Sequence, residues 1–359
     1  MMVESRRLAD WARDFLSRDE PRQHLNLVVE GCGIRVSTNS AVLCTALTRY
    51  YREYLAREPG APDLEVTALE TPPAGLDLPF AASPPGPGKT RVKDEYVDLA
   101  DGRIIRKRIT GLVFLAGHDR HLCVGPCLAN QNQVVNFINN RFIQWQLDRG
   151  YLLCHAAAVV RGDRGLALAG VAGLGKSTLA LHLLNRGLDL LTNDRLLVRG
   201  ERGSLEMLGL PKFPRVNPGT ILNNPSLGSI LTAEEHARFR ALPAEELWTL
   251  EEKYDVDVSE CFGAGRVRLR ARMVGAVLLN WQRGGGPTRA DEVRLADRAD
   301  LLAALIKQPG IHYCPRPGRG VPDLSPEVYR EQLRGCRALE LRGGVDFDAG
   351  AEFCLRLLV

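Results

Sequence analysis

The chain has 359 residues, 45% hydrophobic and 25% charged, with 47 Lys and Arg against 43 Asp and Glu and a formal net charge of +4. This is the composition of a soluble globular protein, enough for one principal domain with a sizeable core and a smaller companion. So small a charge argues against a nucleic-acid binder, which needs clustered Lys and Arg on one face, and no apolar run approaches the ~18 residues of a membrane span.

The opening stretch "MMVESRRLADWARDFL" has the spacing of an amphipathic helix and not of an apolar export signal. "HLNLVVEGCGIRVSTN" reads as strand, glycine turn, strand. "SAVLCTALTRYYREYLA" follows with helical spacing, and Asn39 or Ser40 supplies the cap. A strand, "PDLEVTALE", leads into a Pro- and Gly-rich surface loop, "TPPAGLDLPFAASPPGPGKT". Two hairpins come next: "EYVDLADGRIIRKRI", turning at Asp101-Gly102, and "GLVFLAGHDRHLCVG". A helix from about Asn130 to Asp148 carries Val134, Phe137, Ile138, Phe142, Ile143, Trp145 and Leu147 as one broad buried face.

From Tyr151 the texture changes. "YLLCHAAAVV", "GLALAG" and "LDLLTND" are short, nearly continuous apolar runs, as in strands covered on both faces. A variable polar stretch (217–258) follows, then strand-like "MVGAVLLNW" and "EVRLA", helical "RADLLAALIKQ" and "SPEVYREQLRG", the strand "CRALELRGG" and the helix "FDAGAEFCLRLL". The nine cysteines show no repeated spacing. Cys123 and Cys127 are the closest pair and read as small buried hydrophobes, since a zinc site would want a second such pair. The odd count without an export signal points to a reducing, cytoplasmic compartment.

The chemistry sits in "GVAGLGKST", residues 170–178. Gly170, Gly175, Lys176 and Ser177 fit G-x-x-x-x-G-K-[ST], between an apolar strand and an apolar-periodic helix. Glycines let successive N–H groups wrap phosphate, and the helix N-terminus favours an anion. Lys176 reaches the β and γ phosphates and the Ser177 hydroxyl ligates Mg²⁺. The loop residues Gly170, Gly173, Leu174, Gly175, Lys176, Ser177 and Thr178 are therefore the expected ATP-binding set. The helix ends at Arg186-Gly187, and the next strand closes on Asn193-Asp194. An acid there can hold Mg²⁺ or accept a proton from an attacking hydroxyl. His155 should start a strand that pairs with the one feeding the loop, at the rim of the same site.

In this order the pieces "CHAAAVVRGDRGLALAGVAGLGKSTLALHLLNRGLDLLTND" resemble the catalytic core of the bacterial HPr kinase/phosphorylase family. A second patch, "CFGAGRVRLRARMVGAVLLNW", is similar to the family's F-G-A-G-x-V-R followed by a strand. Among relatives, the outline resembles most the HPr kinase-related proteins, with the subgroup called HPr kinase-related kinase B the nearest fit. The resemblance implies an α/β fold: a P-loop kinase core of the HPr kinase/PEP carboxykinase type over 129–359, with an N-terminal α+β domain of unread role over 1–128. It implies an ATP- and Mg²⁺-dependent kinase that phosphorylates a hydroxyl, expected to be serine on a protein partner. Lys176, His155 and Asp194 match the catalytic positions, Asp194 as proton acceptor, with Ser177 and Asp194 toward the metal.

The sequence departs from the family in three places. Asn193 stands where the family has the first of two acids. "KFPRVNPGTIL" offers no counterpart to its downstream Mg-binding Glu. The segment before Cys261 looks like an insertion whose Glu251, Glu252 and Lys253 either replace missing parts or form a solvated charged face. A small-molecule kinase and a nucleotide-binding sensor or scaffold that transfers little are the alternative readings. Neither a nucleic-acid nor a membrane partner is expected, and a homo-oligomer is left open.

Overall fold

Alternation of apolar residues dictates the first sheet. The computed structural model describes residues 6–58, 60–85, 90–171, 173–201, 203–316 and 320–359. The chain falls into two compact units, Met1–Arg149 with Pro309–Pro322, and Gly150–Gln308 with Asp323–Val359. The first holds α1 (Leu8–Arg18), β1 (Gln23–Val29), β2 (Cys32–Thr38), α2 (Ala41–Tyr50), β3 (Leu64–Glu70), β4 (Ala81–Ala82), β5 (Asp94–Leu99), β6 (Gly102–Lys107), β7 (Val113–Gly117), β8 (His121–Gly125) and α3 (Gln131–Leu147). Its strands form one sheet in the order β1-β2-β3-β8-β7-β6-β5-β4.

In β7 and β8 every residue is buried, because both sheet faces are covered there. Val113, Leu115, Leu122 and Val124 pack with Leu8 and Ala12 of α1. Phe114, pointing the other way, stacks on Phe137 of α3 at 4.6 Å. That stacking puts α3 in the first unit, so the division lies after Arg149 and not at the expected 128. The hairpin turn also sits one residue earlier than read: Leu99 pairs with Gly102, leaving Ala100-Asp101 as the loop. Asp101 thereby accepts from the Leu8 and Ala9 N–H groups (2.7 and 3.2 Å), capping α1 from a distant turn. At α2 the cap is Ser40, whose Oγ accepts from Leu43 N, while Asn39 pairs with the Glu70 backbone in both directions. Part of the Pro/Gly-rich loop, residues 86–89, lies outside the described residues.

The second unit runs β9 (Leu152–Cys154), β10 (Ala156–Arg161), β11 (Arg164–Gly170), α4 (Lys176–Asn185), β12 (Asp189–Thr192), β13 (Leu196–Glu201), β14 (Ser204–Leu208), β15 (Arg215–Val216), α5 (Pro218–Leu222), α6 (Ala233–Arg240), α7 (Ala244–Thr249), β16 (Tyr254–Asp255), α8 (Val258–Phe262), β17 (Arg270–Leu279), β18 (Arg289–Val293), α9 (Ala299–Leu305), α10 (Pro326–Gln332), β19 (Arg337–Arg342) and α11 (Phe347–Leu357). The sheet follows the order β12-β10-β11-β17-β14-β13-β9, with β19 beside β17 and β18 beside β19. β11, β17 and β19 run parallel at its centre. Their apolar residues Leu166, Leu168, Val277, Leu279 and Leu341 share a buried cluster with Leu179, Ala180 and Leu183 of α4 and Ala351 and Cys354 of α11. The molecule is thus a mixed α/β protein with several sheets, and among the described residues no helix is long and apolar enough to cross a membrane.

Candidate functional site

Topology collects the predicted residues at one sheet edge. β10 is antiparallel to β11 and to β12, so β11 and β12 run in the same direction and end on the same edge. The glycine-rich loop leaves β11 there, and Asn193-Asp194 leaves β12 there. β10 starts at that edge, which places His155, just before Ala156 and its partner Ala169, opposite the loop. Ligands of α/β sheets gather at such carboxyl ends.

The loop itself is held open. Gly173 and Gly175 have φ of +87° and +89°, a region costly for any residue with a Cβ. Gly175 is the N-cap of α4 and no side chain caps the helix, so its first N–H groups remain available to an anion. Trp281, beyond the end of β17 and 2% exposed, donates Nε1–H to the Leu174 carbonyl at 2.9 Å. Phe347 lies edge-on to Trp281, with centroids 5.4 Å apart, and directly below Gly175, where an added Cβ would meet its ring at 2.7 Å. Lys176 is buried and folds back over the loop, donating from Nζ to the carbonyls of Gly170 (2.8 Å) and Val171 (3.3 Å). Burial lowers its pKa, which the Asp194 charge raises and Lys307 lowers, with a net downward shift. Ser177 is half-buried on the first turn, whereas the Thr178 hydroxyl meets that of Thr220 at 2.8 Å.

His155 Nε2 stands 3.3 Å from Asp194 Oδ1. Burial pushes the Asp194 carboxyl up, but the His155 hydrogen bond and charge, then Arg195 and Lys307, outweigh it and hold the group well below the usual carboxylate range. The side chain is half-exposed, which leaves it reachable by a substrate. The Asn193 amide oxygen beside it is buried with no hydrogen-bond partner. The structure thus brings Gly170, Gly173, Leu174, Gly175, Lys176, Ser177, His155 and Asp194 to one edge.

Two expected pieces serve elsewhere. Glu252 pairs with Arg238 and with the Tyr254 hydroxyl, each at 2.8 Å, while Glu251 and Lys253 are exposed; this cluster is surface ion pairing. In the second motif, Arg266 staples helix to strand: it pairs with Asp189 at 2.9 Å and donates to the carbonyls of Leu184 (2.9 Å) and Leu188 (2.5 Å), where α4 ends. Sequence reasoning passed over Trp281, Phe347 and Lys307. Arg195, adjacent to Asp194, carried the only local signal; the others are remote along the chain.

No protein family matches the chain by sequence, and no curated protein matches it. Among solved structures the chain is similar to the Hpr(Ser) kinase/phosphatase from Coxiella burnetii, at 13% identity over 57% of this chain and 97% of that one, with a TM-score of 0.27. The relationship is distant.

Proposed function

We propose that this protein is an ATP-dependent phosphotransferase that moves the γ-phosphate to a hydroxyl. The observation that carries the reading is the meeting, at one sheet edge, of an uncapped helix N-terminus with its lysine and a reachable carboxylate whose imidazole neighbour is 3.3 Å away. Phosphoryl transfer asks little covalent work of a protein; it needs positioning and charge neutralisation around the γ-phosphate. Lys176 and the N–H groups at the start of α4 would hold and neutralise the phosphates. The acceptor oxygen forms its bond to the γ-phosphorus as the bond to the bridging oxygen breaks, and ADP leaves with that electron pair. The hydroxyl proton passes to Asp194. A carboxylate held this low is a weak base, so it suits orienting the hydroxyl and taking its proton late, in a loose transition state. His155 keeps the carboxylate aimed.

Among the described residues no group of three or more His, Cys, Asp or Glu is gathered as for a metal ion. That suits Mg²⁺, which keeps several waters and binds through one or two protein oxygens plus phosphate. The fit lies in the donor set: Ser177, Asp194 and the unpartnered oxygen of Asn193 are all hard oxygen donors. When bound, the ion would offset charge on the phosphate oxygens.

The resemblance in sequence makes a protein serine the expected acceptor, with a small molecule second. Asn193, an amide that cannot replace a second carboxylate, favours a nucleotide sensor instead. Purified protein with labelled ATP, Mg²⁺ and fractionated lysate separates the three: label on a protein band, label on a small compound, or binding without transfer, the last of which would end the transferase reading.

A further inference from the structure

The end of β17 opens beside the phosphate loop. β11 and β17 run parallel, with Gly170 opposite Leu279, so the residues after Leu279 emerge on the edge where the glycine-rich loop leaves β11. In the strand order β12-β10-β11-β17, Asp194 follows β12 on one side of the loop, and this segment lies on the other. From there Trp281 holds the loop through Leu174. Two residues on, Arg283 is exposed, and its guanidinium carbon lies 3.6 Å from the centre of the Trp248 ring. The turn that carries Arg283 is fixed in place. Gln282 N donates to Gly343 O at 2.9 Å and Gly344 N to Gly286 O at 2.8 Å. A Cβ on Gly285 or Gly344 would meet the opposing backbone oxygen at 2.5 or 2.2 Å, so the two segments lie backbone to backbone.

Trp248 is tied to the loop by a second route. Thr178, on the first turn of α4, meets Thr220 of α5 hydroxyl to hydroxyl at 2.8 Å. The neighbouring Gly219 packs against α7, where an added Cβ would meet the Leu247 carbonyl oxygen at 3.5 Å, and Trp248 follows Leu247. The contacts close a ring that leaves the phosphate loop at Leu174 and returns to it at Thr178, with the Arg283–Trp248 stack on its far side. Two contacts and two one-residue steps of ~3.8 Å each separate Thr178 from Trp248, a path on the scale of one nucleotide.

Trp248 is still 41% exposed although Arg283 covers one face of its ring, so the opposite face and the edges are open. A nucleotide held at the loop with its γ-phosphate toward Asp194 extends its nucleoside away from β12, to the side where Arg283 leaves β17. A base is a flat π-surface that stacks on an indole whatever its hydrogen-bonding edge. We infer that Trp248, backed by Arg283, is the platform on which the nucleotide base stacks, so that the site prefers purine to pyrimidine nucleotides by ring area. The inference rests on the phosphotransferase reading and supplies the specificity for its donor. The planar guanidinium holds the indole from behind, and the larger purine covers more of the open face than a pyrimidine does.

The test uses the full chain in the presence of Mg²⁺, titrated calorimetrically with ADP, with CDP and with tripolyphosphate, which has no base. ADP is expected to bind at least fivefold more tightly than CDP. Trp248→Ala is expected to weaken ADP binding at least tenfold with tripolyphosphate affinity unchanged within twofold, and Trp248→Phe to restore most of the loss. ADP should also quench a part of the tryptophan emission that tripolyphosphate leaves untouched and that Trp248→Phe lacks. ADP bound no more tightly than CDP, Trp248→Ala binding ADP like the wild type, or Trp248→Ala losing ADP and tripolyphosphate alike would each overturn the platform while leaving the transferase reading in place. Failure of the wild type to bind ADP would overturn both.

Discussion

At the scale of single residues the site turns on two charges of opposite sign. Lys176→Ala removes the only ammonium on the first turn of α4, and nucleotide affinity is expected to fall at least a hundredfold by fluorescent-nucleotide titration; unchanged binding would remove the phosphate-loop assignment. Asp194→Asn keeps the shape but not the proton acceptor. Transfer is expected to drop at least a hundredfold, with ATP affinity within a few-fold of wild type; turnover near wild type would exclude Asp194 as the base. The same residue makes a pH prediction. Its folded pKa is depressed, so its stabilising contribution is complete above the unfolded value, ~4, and is lost as pH falls through the lower folded value. Wild type should melt above Asp194→Asn at pH 7, and the gap should close on acidification below about pH 4. A gap independent of pH would mean that the pair with His155 contributes nothing electrostatic.

At the scale of elements, the loop between β11 and α4 takes its shape from what lies under it. Trp281 and Phe347 come from the end of β17 and the start of α11, and they touch Leu174 and Gly175. Trp281→Phe keeps most of the packing but removes the N–H donor, so unfolding free energy should fall by about 1 kcal/mol, and nucleotide affinity severalfold through a looser loop. Gly175→Ala forces a Cβ into a left-handed φ and against the Phe347 ring, a strain on the order of 1–3 kcal/mol. Chemical denaturation checks both, and a Gly175→Ala protein as stable as wild type would show that the ring yields. Arg266 does for the end of α4 what Trp281 does for its start.

At the scale of the whole molecule, the second unit is interrupted by Pro309–Pro322, which folds with the first. Tyr313 and Cys314 of that excursion are 6% and 4% exposed. Tyr313 Oη donates to Asp148 at 2.8 Å, Gln144 Nε2 to Cys314 O at 2.9 Å and Arg103 to Ile311 O at 2.8 Å. A fragment spanning 150–359 would leave these residues without their neighbours. It is expected to aggregate on size exclusion, whereas the same fragment with 309–322 replaced by a short Gly/Ser linker should run as a smaller, soluble species; equal behaviour would mean that the excursion adds little to the first unit.

Periodicity and turn chemistry are local, and most strands and helices outside 195–262 can be read from them, as can the glycine-rich loop, because only a handful of residue types tolerate its backbone; within 195–262 the β13–β14 hairpin and the short helices α5 to α8 carry no such signal. The same locality explains the errors. Helix α3 belongs to the first unit, against the sequence expectation, because Phe137 meets Phe114 only in three dimensions. Glu251, Glu252 and Lys253 are open to two readings in the sequence, and only the fold, which sets Arg238 beside Glu252 as an ion-pair partner, decides for the surface one. The sequence by itself determined most of the elements and the lysine-bearing loop, since these depend on neighbours within a few residues. Tertiary structure alone decided that His155 and Asp194 share an edge with that loop, and that Trp281 and Phe347 support it, because strand order and chain direction are settled by packing between segments far apart along the chain.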